Sequence, residues 1–136
     1  MWHSWDMPTL QNNGQVVGYG VAGAPLGTAG LPVLLFHGTT MNRTAWDFVI
    51  GSMPTERTYI QVEFPGSGES AMPSAPLSVE GLVRDALAVL HELKVDRFHV
   101  AGYSLGAVIA TATAATVPER VASATMLCGW VTSDAR

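Results

Sequence analysis

Gly102-Tyr103-Ser104-Leu105-Gly106 reads G-x-S-x-G directly after an apolar run and directly before a helical one. A serine there is a candidate nucleophile. A sharp strand-to-helix turn would lift the Ser104 hydroxyl clear of a sheet, and the amide of Leu105, at a helix N-terminus, could stabilise an oxyanion on an attacked carbonyl. The flanking glycines, Gly102 and Gly106, suit such a turn because a Cβ at either place would collide with the neighbouring strand or helix. A serine hydroxyl is a weak nucleophile at neutral pH and needs a base that is itself oriented by a carboxylate. All four histidines, His3, His37, His91 and His99, precede Ser104, whereas the order this motif carries is serine, acid, histidine. Only Glu119 and Asp134 follow it as acids. The sequence therefore presents a nucleophile without its base.

The elements that must position this serine can be read on either side of it. Phe98-His99-Val100-Ala101 is an apolar run suited to a buried strand, and the small or apolar residues from Ala107 to Ala115 form a helix that Pro118 ends. That helix should be covered on most sides. Val33-Leu34-Leu35-Phe36 and Thr58-Tyr59-Ile60-Gln61-Val62 read as two earlier strands, and Val121 to Cys128 as a last one. Trp46, Val49, Ile50 and Met53 recur at helical spacing behind Asn42 or Thr44 as cap and ahead of Pro54 as stop, which predicts a helix of about ten residues. The clearest amphipathic pattern is Val79, Leu82, Val83, Ala86, Leu87, Leu90 and Leu93, capped by Ser78.

At the N-terminal end, Asn13-Gly14 between two strand-like runs predicts a β-hairpin. Its second arm, Gly18-Tyr19-Gly20-Val21-Ala22-Gly23, spells G-x-G-x-x-G. The dinucleotide fingerprint needs a helix to start there, and Pro25, Gly27, Gly30 and Pro32 exclude one, so the segment reads as a Gly-rich strand and loop. Strands and helices alternating after a hairpin define the fold class as α/β, a mostly parallel sheet with helices on both faces.

With these motifs in place the chain resembles the α/β-hydrolase fold family. In that family a His-Gly pair ends an earlier central strand and the residue after it supplies the second oxyanion amide. His37-Gly38-Thr39 stands in the matching position, so the resemblance implies an oxyanion hole from Leu105 and Thr39, with His37 organising the loop. A pattern like D-x-P-G-x-G-x-S appears as Glu63-Phe64-Pro65-Gly66-Ser67-Gly68-Glu69-Ser70, with Glu where the family usually shows Asp, a change that should affect loop hydrogen bonding more than chemistry. Pro118-Glu119-Arg120-Val121 also looks like the family's entry into the next strand. The resemblance implies hydrolysis of an ester, thioester or lactone through an acyl-enzyme on Ser104, with a small acyl compound as substrate and neither metal nor organic cofactor. Members that cleave carbon–carbon bonds or perform perhydrolysis with the same serine, and a non-catalytic ligand-binding module, are the alternatives. Asp134 stands where some members carry their acid.

Composition narrows the partners. Seven Lys and Arg against eleven Asp and Glu give a net charge of −4, with no basic run to track a phosphate backbone, so neither nucleic acid nor an anionic membrane is expected. Apolar residues make up 48% of the chain and charged ones 13%, a balance suited to buried sheet and helix. The single cysteine, Cys128, cannot form an internal disulfide and reads as a small buried hydrophobe at a strand end. The first residues lack a signal-peptide pattern, so the default location is cytoplasmic.

Residues 1–136 are thus expected to form the N-terminal part of a single α/β-hydrolase core domain, with the sheet truncated after the strand that follows the nucleophile helix. The cap and later strands would be absent. A sheet stopping at Val121 to Cys128 would leave an apolar edge with no Lys, Pro or charge to blunt it. The expected partner is the remaining part of the same polypeptide, or a complementary chain that donates the histidine.

Overall fold

The computed structural model describes residues 8–130. A six-stranded sheet runs in the order β1-β2-β4-β3-β5-β6, where β1 is Thr9–Asn12, β2 Gln15–Gly23, β3 Val33–Phe36, β4 Thr58–Val62, β5 Phe98–Tyr103 and β6 Val121–Leu127. The hairpin pair β1 and β2 and the β2 to β4 pairing are antiparallel, while β4, β3, β5 and β6 run parallel. The hairpin turns at Asn13 and Gly14, both with positive φ (49° and 82°), the paired left-handed conformation that makes Asn-Gly a turn signal.

Side chains alternate across the sheet, so one strand serves two cores. Leu34, Phe36, Ile60, Val62 and Val100 face α2 (Val79–Glu92) and α3 (Leu105–Thr116). Ser78 caps α2 by accepting a hydrogen bond from the Gly81 amide. A lone helix of 14 residues is marginal in water, and α2 gains its stability by burying Leu82, Val83, Ala86, Val89 and Leu90, each large side chain contributing about 1.5–3 kcal/mol. Leu35 and Tyr59 point to the opposite face, where they pack on Trp46.

That opposite face departs from the sequence reading. In place of one helix of about ten residues, a 3-10 turn over Arg43–Trp46 runs into a single α-helical turn, α1 (Asp47–Ile50). Asn42 is the cap, accepting from the Thr44 amide, and the chain leaves the helix at Gly51, ahead of Pro54. Trp46 is buried and Ile50 packs beside it, whereas Phe48 is 88% exposed and Val49 and Met53 are also exposed, so among the described residues the outer part of the segment lies open.

The edge strand behaves as its composition implies. Among the described residues β6 pairs with β5 alone, and every residue from Ala122 to Leu127 is exposed. α3 buries Gly106, Ala107, Ile109, Ala110 and Thr113, but Ala115 and Thr116 are exposed, so its cover is less complete than its composition predicts. Cys128 is exposed with φ at 53°, which corrects its reading as a buried hydrophobe: it stands just past β6, where none of the described elements covers it. Among the described residues, no helix is long and apolar enough to cross a membrane.

Candidate functional site

Parallel register places β3 and β5 side by side, with Phe36 opposite Gly102. The loops that leave the two strands therefore emerge together at one edge of the sheet. The first, after β3, contains His37, Gly38 and Thr39; the second turns through Ser104 into α3.

Ser104 adopts φ 56° and ψ −118°, a left-handed backbone held by a residue with a Cβ. The turn is locked from several sides. Its amide donates to the Leu127 carbonyl of β6 at 2.9 Å, and its carbonyl accepts from the Ala107 amide at 2.9 Å. A Cβ on Gly102 would strike the Gly106 carbonyl, and one on Gly106 would strike the carbonyls of Phe36 and His37. The two glycines let α3 start directly against the end of β3. The Ser104 hydroxyl makes no capping bond to α3, and Leu105 is the first helical residue, so its amide is one of the N-terminal donors without an intrahelical partner.

Gly38 fits closely beside the elbow, since a Cβ there would lie 3.0 Å from the Tyr103 ring and 3.2 Å from the Met41 sulfur. Thr39 follows in an exposed turn closed by the Met41 amide donating to the Gly38 carbonyl at 3.3 Å. His37 is 1% exposed. Its Nε2 accepts from the Phe64 amide at 3.1 Å and its Nδ1 lies 2.8 Å from the Gly38 carbonyl, a pair of partners that only the neutral Nδ1–H tautomer satisfies. Burial lowers its pKa, outweighing the Gly38 carbonyl and the Glu63 carboxylate, which favour the cation. With both nitrogens engaged, His37 has no lone pair to offer a serine.

His91 and His99 stand away from the elbow. His99 lies five residues before Ser104 on an extended strand, about 16 Å along the sheet, and its Nδ1 meets the Ser123 hydroxyl at 2.7 Å. His91 sits in the last turn of α2, which precedes β5 and so belongs to the opposite sheet edge. His3 and the candidate acid Asp134 lie outside the described residues. Among the described residues no three His, Cys, Asp or Glu side chains converge as a metal ion would need.

Several supports of the site lie in residues that the sequence named for other reasons or passed over. Glu63 is buried, accepts from the Glu69 amide at 2.7 Å and pairs with Arg43 at 3.8 Å, so Glu at this place does organise the loop. Ser70 donates to the Glu63 carbonyl and accepts from the Gly18 amide, both at 2.8 Å, which ties the loop to the hairpin. Gly66 and Gly68 have φ of 80° and 50° and serve as turn glycines. The Leu127 carbonyl, which holds the Ser104 amide, carries no sequence signal. A cavity of about 350 Å³ lies on the α1 face between Trp46, Tyr59, His99 and Leu127 and does not include Ser104.

A strand, a strained serine between two obligatory glycines, a helix N-terminus and a His-Gly loop at the neighbouring strand end are what one family's conserved core consists of. A family model described as the alpha/beta hydrolase fold matches residues 32–135. The chain belongs to the α/β-hydrolase fold family. Within that family it is similar to RutD of Azorhizobium caulinodans, a candidate carbamate hydrolase, with 33% identity over 106 residues that cover 78% of this chain and 40% of RutD. Among solved structures, a hydrolase from Pseudomonas aeruginosa PA01 superposes with a TM-score of 0.86 at 23% identity, covering 98% of this chain and 49% of that one, a likeness of fold alone. Est816, an N-acyl homoserine lactone degrading enzyme, superposes with a TM-score of 0.79 at 29% identity, covering 90% and 45%. The chain thus spans less than half the length of each of these α/β-hydrolase relatives.

Proposed function

We propose that Ser104 is the nucleophile of a hydrolase that acts on a carboxylic ester, thioester or lactone through an acyl-enzyme. The observation that carries this reading is the Ser104 backbone at φ 56°, with its hydroxyl left free by α3. Strain of this kind costs about 1–3 kcal/mol and persists where the surroundings impose it, commonly at a functional site. The names of two relatives point the same way, since a carbamate and an acyl lactone both present an acyl carbonyl.

In this mechanism the Ser104 oxygen attacks the carbonyl carbon while a base takes its proton. The negative charge that develops on the carbonyl oxygen is held by the amides of Leu105 and Thr39. Collapse expels the leaving group, which regains the proton, and water then releases the acid and restores Ser104. The base and its orienting acid come from polypeptide that pairs with the open edge of β6, either a continuation of the same chain or a complementary one.

A serine-directed fluorophosphonate tests the reading in the protein joined to such a completing segment. Adduct mass on Ser104, absent in Ser104→Ala, supports it. A folded protein that takes no label while it binds small acyl compounds would instead be the non-catalytic module.

A further inference from the structure

We propose that a cavity between the β-hairpin and the first turns of α2 binds a primary ammonium group on a short apolar stem, held by Asp85, Asn12 and Gln15. The site goes beyond the acyl-transfer reading and does not depend on it, since the cavity does not include Ser104.

The cavity measures about 170 Å³. Its polar wall is built from two hairpin residues, Asn12 and Gln15, and from Asp85 in the second turn of α2. Asp85 is only 9% exposed. Its Oδ1 accepts from the Asn12 Nδ2 at 2.8 Å, and among the described residues no donor reaches its Oδ2. Gln15 directs its amide nitrogen at the Val16 and Ala71 carbonyls, at 3.0 and 2.9 Å, so Oε1 is its open end. The Asn12 amide faces a carboxylate and presents its nitrogen there, which likewise leaves its Oδ1 open. Three residues that line one cavity thus each keep an acceptor oxygen without a donor among the described residues.

Three acceptors and one negative charge match a primary ammonium, which carries three N–H donors and one positive charge. A divalent metal ion is a poorer match, because Asp85 is the one carboxylate on the wall. Pro73, Pro76 and Leu77 form the apolar side, where an alkyl stem would lie.

The surroundings of the carboxylate explain why a cation suits this place. Arg84 is the only other charged residue on the wall, and its exposed side chain can carry the guanidinium out into water. The hairpin and the loop from Pro73 to Ser78 bring amides, hydroxyls and apolar groups alone. Burial raises the pKa of Asp85 against the opposing Asn12 hydrogen bond and Arg84, so an ionised carboxylate here lacks sufficient compensation. A cation at Oδ2 supplies it.

Ethylammonium chloride is the probe, titrated into the completed protein at neutral pH and constant ionic strength, with sodium chloride as the balancing salt. Side-chain resonances of Asp85, Asn12 and Gln15 are followed by NMR. Tetramethylammonium, a cation without N–H donors, and ethanol, which is uncharged, are the controls. Ethylammonium alone should shift all three residues and saturate. The Asp85 titration midpoint should fall in its presence, because the amine binds the ionised form. Asp85→Asn should keep the fold by circular dichroism and bind about tenfold more weakly or worse. Glu80→Gln removes an acid of α2 that lies outside the cavity and should bind like wild type. Absence of saturation, equal shifts with tetramethylammonium, an Asp85 midpoint indifferent to the amine, or undiminished binding by Asp85→Asn would each overturn the proposal. The wild-type shifts and midpoint decide it even where a variant does not fold.

Discussion

The Ser104 amide donates to the Leu127 carbonyl at 2.9 Å, so the edge strand β6 holds the strained elbow in place. The bond links the least covered strand of the sheet to a serine held at φ 56°. Support for β6 is therefore support for the proposed nucleophile.

Glycine at 104 should be more stable than alanine, although both lack the hydroxyl. Relief of the φ 56° backbone is worth about 1–3 kcal/mol, against about 0.5–1 kcal/mol for the extra freedom glycine has when unfolded. Urea unfolding of Ser104→Gly and Ser104→Ala should differ by about 1 kcal/mol in favour of glycine. Equal midpoints would show that the serine is not strained.

Gly102→Ala and Gly106→Ala should each cost about 3 kcal/mol or more, because the added methyl meets backbone carbonyls that no rotamer change can move. Gly30→Ala serves as the control, since nothing lies within 4 Å of its Cβ position. Thermal unfolding should find that control near wild type. A folded Gly106→Ala protein of wild-type stability would contradict the packing of α3 on β3.

Glu63 and Gly68 should be energetically coupled. The Glu63 carboxylate fills the space that a Cβ on Gly68 would take, so Gly68→Ala is costly while Glu63 is present. Glu63→Ala alone leaves the Glu69 amide without its acceptor, a loss of about 1–3 kcal/mol. In the double variant the cost of Gly68→Ala should shrink, leaving the part due to its φ of 50°. A double-mutant cycle with no coupling would place the carboxylate elsewhere.

Asp85 supplies a pH dependence whose sign can be worked out. Burial raises its pKa above the usual carboxylate value, against the opposing influences of the Asn12 hydrogen bond at 2.8 Å and Arg84. The folded state then binds this proton more tightly than the unfolded one, and the stability it contributes is present in acid and lost as pH rises through the folded pKa. Asp85→Asn should raise the melting temperature at pH 7, and the gain should fade as the pH is lowered through the raised pKa of Asp85 and the carboxyl takes up its proton. A variant less stable than wild type at neutral pH would mean that the ionised carboxylate is the favoured partner of Asn12.

Much of the scaffold was legible in the chain because its signals are local. Asn13-Gly14 turns the hairpin with the positive φ values its residue types favour, and Ser78 caps a helix whose apolar face is marked by spacing alone. The helix expected from Trp46 to Met53 fails for a reason periodicity does not contain: Phe48 and Val49 are exposed among the described residues, and Trp46 and Ile50 are the ones that pack against the sheet. Cys128 was misplaced for a similar reason. Its apolar character suggests burial, but burial requires a neighbour, and none of the described elements covers it.

The sequence by itself marked the elbow, since Gly102 and Gly106 permit the close strand-to-helix turn at Ser104, whereas the contacts that hold it, with the end of β3 and the Leu127 carbonyl, come from elsewhere in the fold. It also showed that none of residues 105–136 is a histidine. Only the tertiary structure decided what His37 does, because its partners are the adjacent Gly38 carbonyl and an amide 27 residues away on the loop after β4. A hydrogen bond between loops depends on which strands lie side by side, and that order, with β3 between β4 and β5, is set by the sheet as a whole.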